Sequence, residues 1–214
     1  MEIYNDLKNA LLSYNKKEVQ ECVEKTISMN LDANKTIEVL SEGMALIGDK
    51  FARNEIFLPA MMLAANVMNA GMSILKIKIE QERIQINYRG KVIIGTVFGD
   101  IHDIGKNLVK ILLDSQGFQV IDLGVNVKSD VFIKSIKDNK PDILALSALL
   151  TTTAPEMGKT IQAIKEANLR DSIKIMIGGA AITEKFAISI GADGYEPTAP
   201  LAVKLANEFV NKHN

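Results

Sequence analysis

The sequence predicts an α/β protein in which a bundle of four helices precedes a doubly wound parallel sheet of five strands. Apolar residues recur at steps of three and four from residue 2 to about residue 80, which is the period of amphipathic helices. Beyond residue 90, short apolar runs alternate with amphipathic stretches, as strands alternate with crossover helices. The mostly polar residues 81–90 separate the two patterns and suit a linker.

The first half predicts four helices joined by short polar connections. Ile3, Leu7 and Leu11 mark the apolar face of the first helix, and Pro59 suits the first turn of the last one. Short connections place successive helices side by side and antiparallel, as in a small four-helix bundle. The predicted helices cover residues 2–14, 16–29 and 34–51, followed by one that begins near Pro59.

The second half predicts a parallel sheet covered on both faces, with right-handed crossovers. A strand order of 2-1-3-4-5 would make it a flavodoxin-like or Rossmann-like sheet. We therefore expect two domains, a helical bundle over residues 1–85 and a sheet domain over residues 86–214. Four strands can be located, at Val92–Val97, Val120–Leu123, Ile143–Ser147 and Ile173–Ile177, with helices near 104–116, 129–139, 156–168, 183–190 and 200–212.

Composition excludes several classes of protein. A charged fraction of 24%, a hydrophobic fraction of 47% and a net charge of -1 indicate a globular protein without a broad positive field for nucleic acid. The most apolar run, Ala60–Leu75, is shorter than the about 20 residues that a membrane crossing needs, and Asn66 and Asn69 interrupt it. Because no secretion signal is visible at the N-terminus, we expect a cytoplasmic protein that does not bind membranes.

The few cysteine and histidine residues limit the metal sites that the chain can build. Cys22 is the single cysteine, and His102 and His213 are the two histidines. Zinc sites with several Cys and His ligands are therefore excluded by count. A metal held by one histidine together with a ligand set that is not protein stays open. We expect Cys22 to be a small buried apolar residue and His213 to lie in a solvated tail.

The residues that stand out follow three of the predicted strands directly. If the strand order is 2-1-3-4-5, the three loops are neighbours along one edge of the sheet. Open parallel sheets bind their ligands in the crevice outside the carboxyl ends of the strands, so these loops would line a single cleft. The loops are Gly99–Asn107, Ser147–Thr153 and Gly178–Ala181.

The first of these loops carries the most chemistry. A neutral imidazole such as that of His102 is a good ligand for a transition metal. Asp100, two residues earlier, can accept the proton on the other ring nitrogen, which fixes the tautomer and raises the basicity of the ligand. Gly105 would let the following helix approach a bulky ligand closely. The alternative is that His102 only closes a turn and that Asp100 or Asp103 caps the helix; the local pattern favours neither.

Three motifs in this order identify a family resemblance. Asp-x-His-x-x-Gly at residues 100–105, Ser-x-Leu at 147–149 and Gly-Gly at 178–179 resemble the cobalamin-binding module of methionine synthase and of the corrinoid proteins of methyltransferase systems. Upstream, Gly48-Asp49-Lys50-Phe51 followed by Ile56-Phe57-Leu58-Pro59 is similar to the helical cap that precedes this module. The resemblance covers nearly the whole chain.

The resemblance implies a corrinoid cofactor, cobalamin or a related compound, with His102 as the lower axial ligand of its cobalt. Asp100 would bind His102, and Thr153, where methionine synthase carries a serine, would complete a proton relay behind it. Phe51 and Leu58, with Met61 one turn further on, would shield the upper face of the ring. The other implied cofactor-binding residues are Gly99, Ile101, Asp103, Ile104, Gly105, Ser147, Leu149, Thr151, Gly178, Gly179, Thr198 and Ala199.

Structural interpretations compete with these roles. Gly178 and Gly179 also suit an ordinary turn at the end of a strand. Without the motifs downstream, Phe51 and Leu58 would be interpreted as plain core of the bundle. Methionines such as Met61 on a long helix are more often adaptable core residues than contacts of a cofactor.

The function that the resemblance implies is that of a methyl carrier. A substrate-specific methyltransferase would pass a methyl group to cobalt(I), and a second methyltransferase would transfer it to tetrahydrofolate or coenzyme M. A reductive activase would be a further partner, and these partner subunits would complete the catalysis. Methanol, methylamines, quaternary amines and aryl methyl ethers are all open as methyl donors.

Three alternatives belong to other classes of protein. A cobalamin-dependent sensor or regulator can share both the cap and the cobalamin module. The cobalamin-binding subunit of a carbon-skeleton mutase shares Asp-x-His-x-x-Gly but generally lacks the cap. A plain nucleotide-binding domain is disfavoured, because no Gly-x-Gly-x-x-Gly or Walker-type loop follows the first strand.

Overall fold

A computed structural model describes residues 2–211, and the chain divides into two compact units. The first unit runs up to Tyr88 and includes Asp114–Gly117. The second comprises Arg89–Leu113 and the chain from Phe118 onward. The predicted tail residue His213 lies outside the described residues.

The first unit contains the four predicted helices. Its polar connections act as helix caps: the side chain of Asn15 accepts a hydrogen bond from the amide of Glu18 at 3.2 Å, and that of Asp32 accepts one from Asn34 at 2.9 Å. The last helix ends two residues inside the predicted linker, at Glu82. The helices are α1 (Glu2–Leu12), α2 (Lys16–Ser28), α3 (Ala33–Ala52) and α4 (Leu58–Glu82).

Helix α4 is long and apolar enough, by length and composition alone, to cross a membrane. Its side chains Met61, Val67 and Leu75 are nevertheless buried, and the helix packs on α2 and α3 of the same unit. Its exposed positions include Asn66 and Asn69. One buried apolar face and one partly polar face are typical of a core helix in a bundle, as the sequence predicted.

The strands of the second unit are β1 (Lys91–Thr96), β2 (Gln119–Asp122), β3 (Ile143–Ser147), β4 (Lys174–Gly178) and β5 (Gly194–Tyr195). They form an all-parallel sheet of order β2-β1-β3-β4-β5, which confirms the predicted fold class and strand order. The helices of this unit are α5 (Ile104–Ser115), α6 (Ser129–Asn139), α7 (Pro155–Glu166), α8 (Glu184–Ile190) and α9 (Ala199–Asn211), with a short 3-10 turn at Arg170–Ser172.

The located strands differ from their predicted bounds only at the ends. The third strand coincides with the prediction, whereas β1, β2 and β4 are each shifted by one residue. The fifth strand, Gly194–Tyr195, has only two residues. It therefore contains no apolar run, and the apolar pattern could not locate it.

Each face of the sheet packs against its own helices, because successive side chains of a strand point to opposite faces. On one face, Ile93, Leu144 and Ile175 share a core with Phe132 of α6 and Met157 of α7. On the other face, side chains such as Ala145 and Met176 point towards α5 and α9. Residues of these two helices border the same cleft as Ala145 and Met176. The strand order reverses between β1 and β3, so the crevice at their carboxyl ends is the expected place for a ligand.

Candidate functional site

A cleft of about 630 Å³ lies at the carboxyl ends of β1, β3 and β4, within the sheet unit. A cleft of this size can enclose a nucleotide-sized group. Gly99 and Thr151 do not border it but lie in the loops beside it, and Asp100 and Thr153 are buried in those loops. The predicted residues that border it are Ile101, His102, Asp103, Ile104, Gly105, Ser147, Leu149, Gly178, Gly179, Thr198 and Ala199.

Asp100 joins the first loop to the second and is only 1% exposed. Its Oδ1 accepts hydrogen bonds from Nδ1 of His102 at 2.7 Å and from the His102 backbone amide at 3.0 Å. Its Oδ2 accepts from Oγ1 of Thr153 at 2.6 Å and from the amide of Leu149 at 2.8 Å. The structure therefore brings together the three side chains that the sequence suggested as a relay.

These hydrogen bonds keep Asp100 ionised. Burial would raise the pKa of this carboxyl, but hydrogen bonds from Thr153, from the backbone and ring of His102 and from the Leu149 amide outweigh it. The net result is a pKa held well below the usual range of an aspartate. An ionised carboxylate can only accept hydrogen bonds, so it orients every donor around it.

His102 presents one ring nitrogen to a ligand. Because Asp100 is an ionised acceptor, the neutral ring carries its proton on Nδ1, which leaves the lone pair on Nε2. The side chain is 46% exposed and borders the cleft. Among residues 2–211, no group of three His, Cys, Asp or Glu side chains could hold a metal ion. This donor set fits a metal that brings most of its own ligands, as the cobalt of a corrinoid does.

The loop that carries His102 is held from two further sides. Oγ1 of Thr96, at the end of β1, donates to the carbonyl of His102 at 3.1 Å. The side chain of Asn126 accepts from the amide of Gly99 at 2.8 Å, and the Asn126 amide donates to the carbonyl of Asp100 at 2.9 Å. These hydrogen bonds fix the backbone of the loop on both sides of Ile101.

An ion pair between a buried lysine at the start of α5 and an aspartate of β2 was not predicted from the sequence. The side chain of Lys106 is 2% exposed, and its Nζ lies 2.8 and 2.7 Å from the two carboxylate oxygens of Asp122, at the end of β2. The same amine donates to Asn107 at 2.7 Å, and Asn107 donates to Asp103 at 2.9 Å. The signals in the sequence are Lys106, which follows Gly105 directly, and Asp122, which lies near the end of an apolar strand.

Several large apolar side chains are exposed together in the loops around the site. Ile101 is 71% exposed and Ile104 is 73% exposed, on the two sides of His102 and Asp103. Leu149, Leu150 and Phe98 are also exposed. Exposed apolar patches of this kind mark ligand or partner sites, and a large flat macrocycle is a ligand that fits such a rim.

Gly179 is required by the backbone. Its φ is +137°, and a Cβ at this position would lie 1.8 Å from the carbonyl oxygen of Ala148. At Gly178 the nearest atom to such a Cβ would be 3.6 Å away, an ordinary contact. The backbone turn therefore requires glycine at position 179. It does not require glycine at position 178, where the missing side chain leaves space in the cleft.

The candidate residues of the helical unit differ in exposure. Phe51 and Leu58 are partly exposed, and Met61 is fully buried. A contact between Met61 and a cofactor would require this side chain to become exposed. Phe57, a large apolar side chain that is 74% exposed, was not among the predicted contacts.

A larger cleft, of about 770 Å³, lies at the opposite end of the sheet, near Asp142 and Lys174. Three of its charged groups pair with one another: Arg170 lies 2.8 Å from Asp193, and Lys174 lies 3.6 Å from the same carboxylate. Arg170 also donates to the carbonyl of Gly191 at 2.8 Å. No histidine is among the described residues that border this cleft.

Comparison with protein families gives two matches, both to models described as a B12 binding domain, at residues 90–204 and 3–76. A corrinoid protein of Desulfitobacterium hafniense is 37% identical over 99% of both chains. The trimethylamine corrinoid protein of Methanosarcina barkeri is 36% identical over 98% of this chain and 97% of its own.

A solved structure supports the same relationship. The methanol:cobalamin methyltransferase complex MtaBC from Methanosarcina barkeri contains a chain with a TM-score of 0.89 and 28% sequence identity. The match covers 98% of this chain and 80% of that chain. The likeness therefore extends over both units of the chain.

Proposed function

We propose, from the premise that this chain belongs to the B12-binding family of corrinoid proteins, that it is the methyl-carrying subunit of a multi-component methyltransferase system. Its cofactor is a corrinoid. The observation that carries the proposal is the buried Asp100, which holds Thr153 on one oxygen and the half-exposed His102 on the other. The relatives named for trimethylamine and for methanol:cobalamin methyltransferase favour methyl transfer over the sensor and mutase alternatives.

In this role, Nε2 of His102 would hold the cobalt of the corrinoid, and Asp100 would set the orientation and basicity of its ring. The bound corrinoid supplies a cobalt centre that takes up and gives up a methyl group. The carboxylate of Asp100, which accepts from Nδ1 of His102 at 2.7 Å, would hold the ring in one orientation towards the metal. Thr153, which donates to Asp100 at 2.6 Å, holds that carboxylate in place.

The cleft would receive the nucleotide tail of the cofactor. Ser147 offers a hydroxyl at its mouth, Gly178 leaves space there, and Thr198 and Ala199 lie at the start of α9. The free backbone N–H groups in the first turn of a helix favour an anionic group such as the phosphate of the tail. Ile101 and Ile104 offer apolar surface to the ring.

The helical unit would protect the opposite face of the ring. We assign this shielding to Phe51 and Leu58, and retain Met61 as a predicted contact that needs a local rearrangement. In this proposal the unit is a domain that ends near the predicted boundary at residues 85–86, and the residues between Glu82 and Lys91 form its hinge. Such a hinge lets partner enzymes reach the cofactor in turn.

The partners follow from this division of labour. A substrate-specific methyltransferase provides the methyl group, a second methyltransferase removes it to tetrahydrofolate or coenzyme M, and a reductive activase restores the reduced cofactor. We place the protein in the cytoplasm, where these partners and their soluble substrates meet.

Reconstitution of the full chain tests the proposal. The cofactor-free protein should take up about one equivalent of hydroxocobalamin and, after reduction, should accept a methyl group from a methylamine or methanol methyltransferase. His102→Ala should change the visible absorption of the bound cofactor, and His213→Ala, which removes the other histidine, should not. A loaded protein that accepts no methyl group from any of these enzymes would contradict the carrier role.

A further inference from the structure

The deep end of the cleft has an apolar floor. Ile94, Ala145 and Met176 are direct neighbours in the register of β1, β3 and β4 and form one row across the sheet. Ser147 and Gly178 form the row two residues nearer the carboxyl ends. Two residues of a strand span about 6.6 Å, so the floor lies that much deeper than the polar mouth.

The walls of the deep end are apolar as well. Leu108 and Val109 come from the second turn of α5, and Ala202 comes from the first turn of α9. The polar side chains that border the described cleft lie in the loops, in the first turn of α5 and at the ends of strands: His102, Asp103, Lys106, Ser147, Glu196 and Thr198.

The backbone offers no substitute for a polar side chain on the floor. Ala145 pairs with Ile94 on one side and with Met176 on the other, so its backbone groups face the ladders of two neighbouring strands. The nearest charged side chain on α5, Lys106, is held by Asp122 and Asn107. A group that reaches the floor therefore makes van der Waals contacts with apolar side chains and finds no hydrogen-bond partner there.

This environment discriminates between the bases that a corrinoid tail can carry. A purine such as adenine has an exocyclic amino group and several ring nitrogens, which would be buried without partners. A dimethylbenzimidazole has two methyl groups on the corresponding edge. Burial of unpaired polar groups lowers affinity roughly tenfold to a hundredfold in such a pocket.

We propose that this cleft selects its cofactor by the polarity of the lower base, and that the chain takes corrinoids with an alkyl-substituted benzimidazole in preference to those with a purine. The Ile94–Ala145–Met176 row is the selecting surface. The inference rests on the proposed function, which places the nucleotide tail in this cleft.

Binding to the cofactor-free full chain tests the preference. Three probes would be titrated by absorption: hydroxocobalamin, the same corrinoid with adenine in place of dimethylbenzimidazole, and cobinamide, which lacks the base. We expect hydroxocobalamin to bind at least tenfold more tightly than the adenine compound, and cobinamide to bind more weakly than hydroxocobalamin. Equal, tight binding of both complete corrinoids would overturn the selectivity alone. Failure of all three to bind would overturn the proposed function, and the selectivity with it.

A floor variant locates the selecting surface. Met176→Gln keeps the length of the side chain and adds an amide, so the preference for hydroxocobalamin over the adenine compound should fall at least threefold. The matched control, Met176→Leu, conserves an apolar side chain of similar volume and should keep the wild-type ratio. An unchanged ratio in a folded Met176→Gln protein would remove this row from the proposal.

Discussion

The two ends of one sheet carry clefts of different character. The cleft at the amino end is the larger, at about 770 Å³, and Arg170 and Asp193 form an ion pair within it. The cleft at the carboxyl end measures about 630 Å³, but it combines an apolar floor with a buried carboxylate that fixes a half-exposed histidine. The comparison teaches that size does not identify a functional cleft. The candidate site is marked instead by polar groups that hydrogen bonds hold above an apolar floor.

The glycine pair at the end of β4 gives the largest expected contrast. Gly179→Ala should lower the free energy of unfolding by about 4 kcal/mol, because the new methyl group would meet the carbonyl of Ala148 and φ is +137°. Gly178→Ala should cost less than about 1 kcal/mol, because its methyl group makes only ordinary contacts. Urea unfolding of the cofactor-free chain measures both, and equal losses would contradict the structural role of Gly179.

The ion pair of the buried Lys106 with the more exposed Asp122 should give the next largest effect. Lys106→Met leaves Asp122 without its cation and should destabilise the protein by about 2 kcal/mol, because water can still reach part of the Asp122 carboxylate. Lys106→Met combined with Asp122→Asn should recover at least half of that loss, because no unpaired charge is left. A double-mutant cycle by urea unfolding tests this. Additive losses would show that the two side chains do not act as a pair.

Asp100→Asn should cost about 1–2 kcal/mol at pH 7, because the neutral amide cannot accept from all the donors that surround the carboxylate. The folded-state pKa of Asp100 lies below its unfolded value of about 4. Its contribution is therefore complete above that pH and is lost as the pH falls through the lowered folded pKa. The gap in stability between wild type and variant should narrow from pH 7 to pH 3, and a gap that widens would contradict this assignment.

The amino-end cleft supplies the smallest expected effect. Lys165→Ala removes an exposed cation from its border and should change stability by less than about 0.5 kcal/mol. The affinity for hydroxocobalamin should stay at the wild-type value. A large loss of affinity in this variant would mean that the amino-end cleft takes part in cofactor binding, and the contrast between the two ends would fail.

The sequence predicted that the loops at the carboxyl ends of the strands lie together, because their polar residues follow the strands directly. Asp100 and His102 are two residues apart, and the assumed strand order 2-1-3-4-5, which the structure has, places the loop of Thr153 beside them. The partnership of Lys106 with Asp122 was not predicted, because it depends on which side of α5 faces β2.

Other parts of the site depend on register, which the sequence pattern does not give. The floor formed by Ile94, Ala145 and Met176 looks like ordinary strand core until the three strands are aligned. The two-residue strand β5 left no apolar signal. In the helical unit, a buried Met61 and a partly exposed Leu58 follow the same helical period, so the pattern alone could not separate core from surface contacts.

The central claim is that Nε2 of His102 binds the cobalt from below, and the electron paramagnetic resonance spectrum of the reduced, cobalt(II)-loaded protein tests it most directly. With ordinary histidine, the axial nitrogen should split each cobalt line into a triplet. In protein labelled with nitrogen-15 histidine each triplet should become a doublet, and in His102→Ala the splitting by a histidine nitrogen should be absent. Triplets that survive the histidine label would show that the axial nitrogen belongs to the cofactor's own base, and would contradict the account.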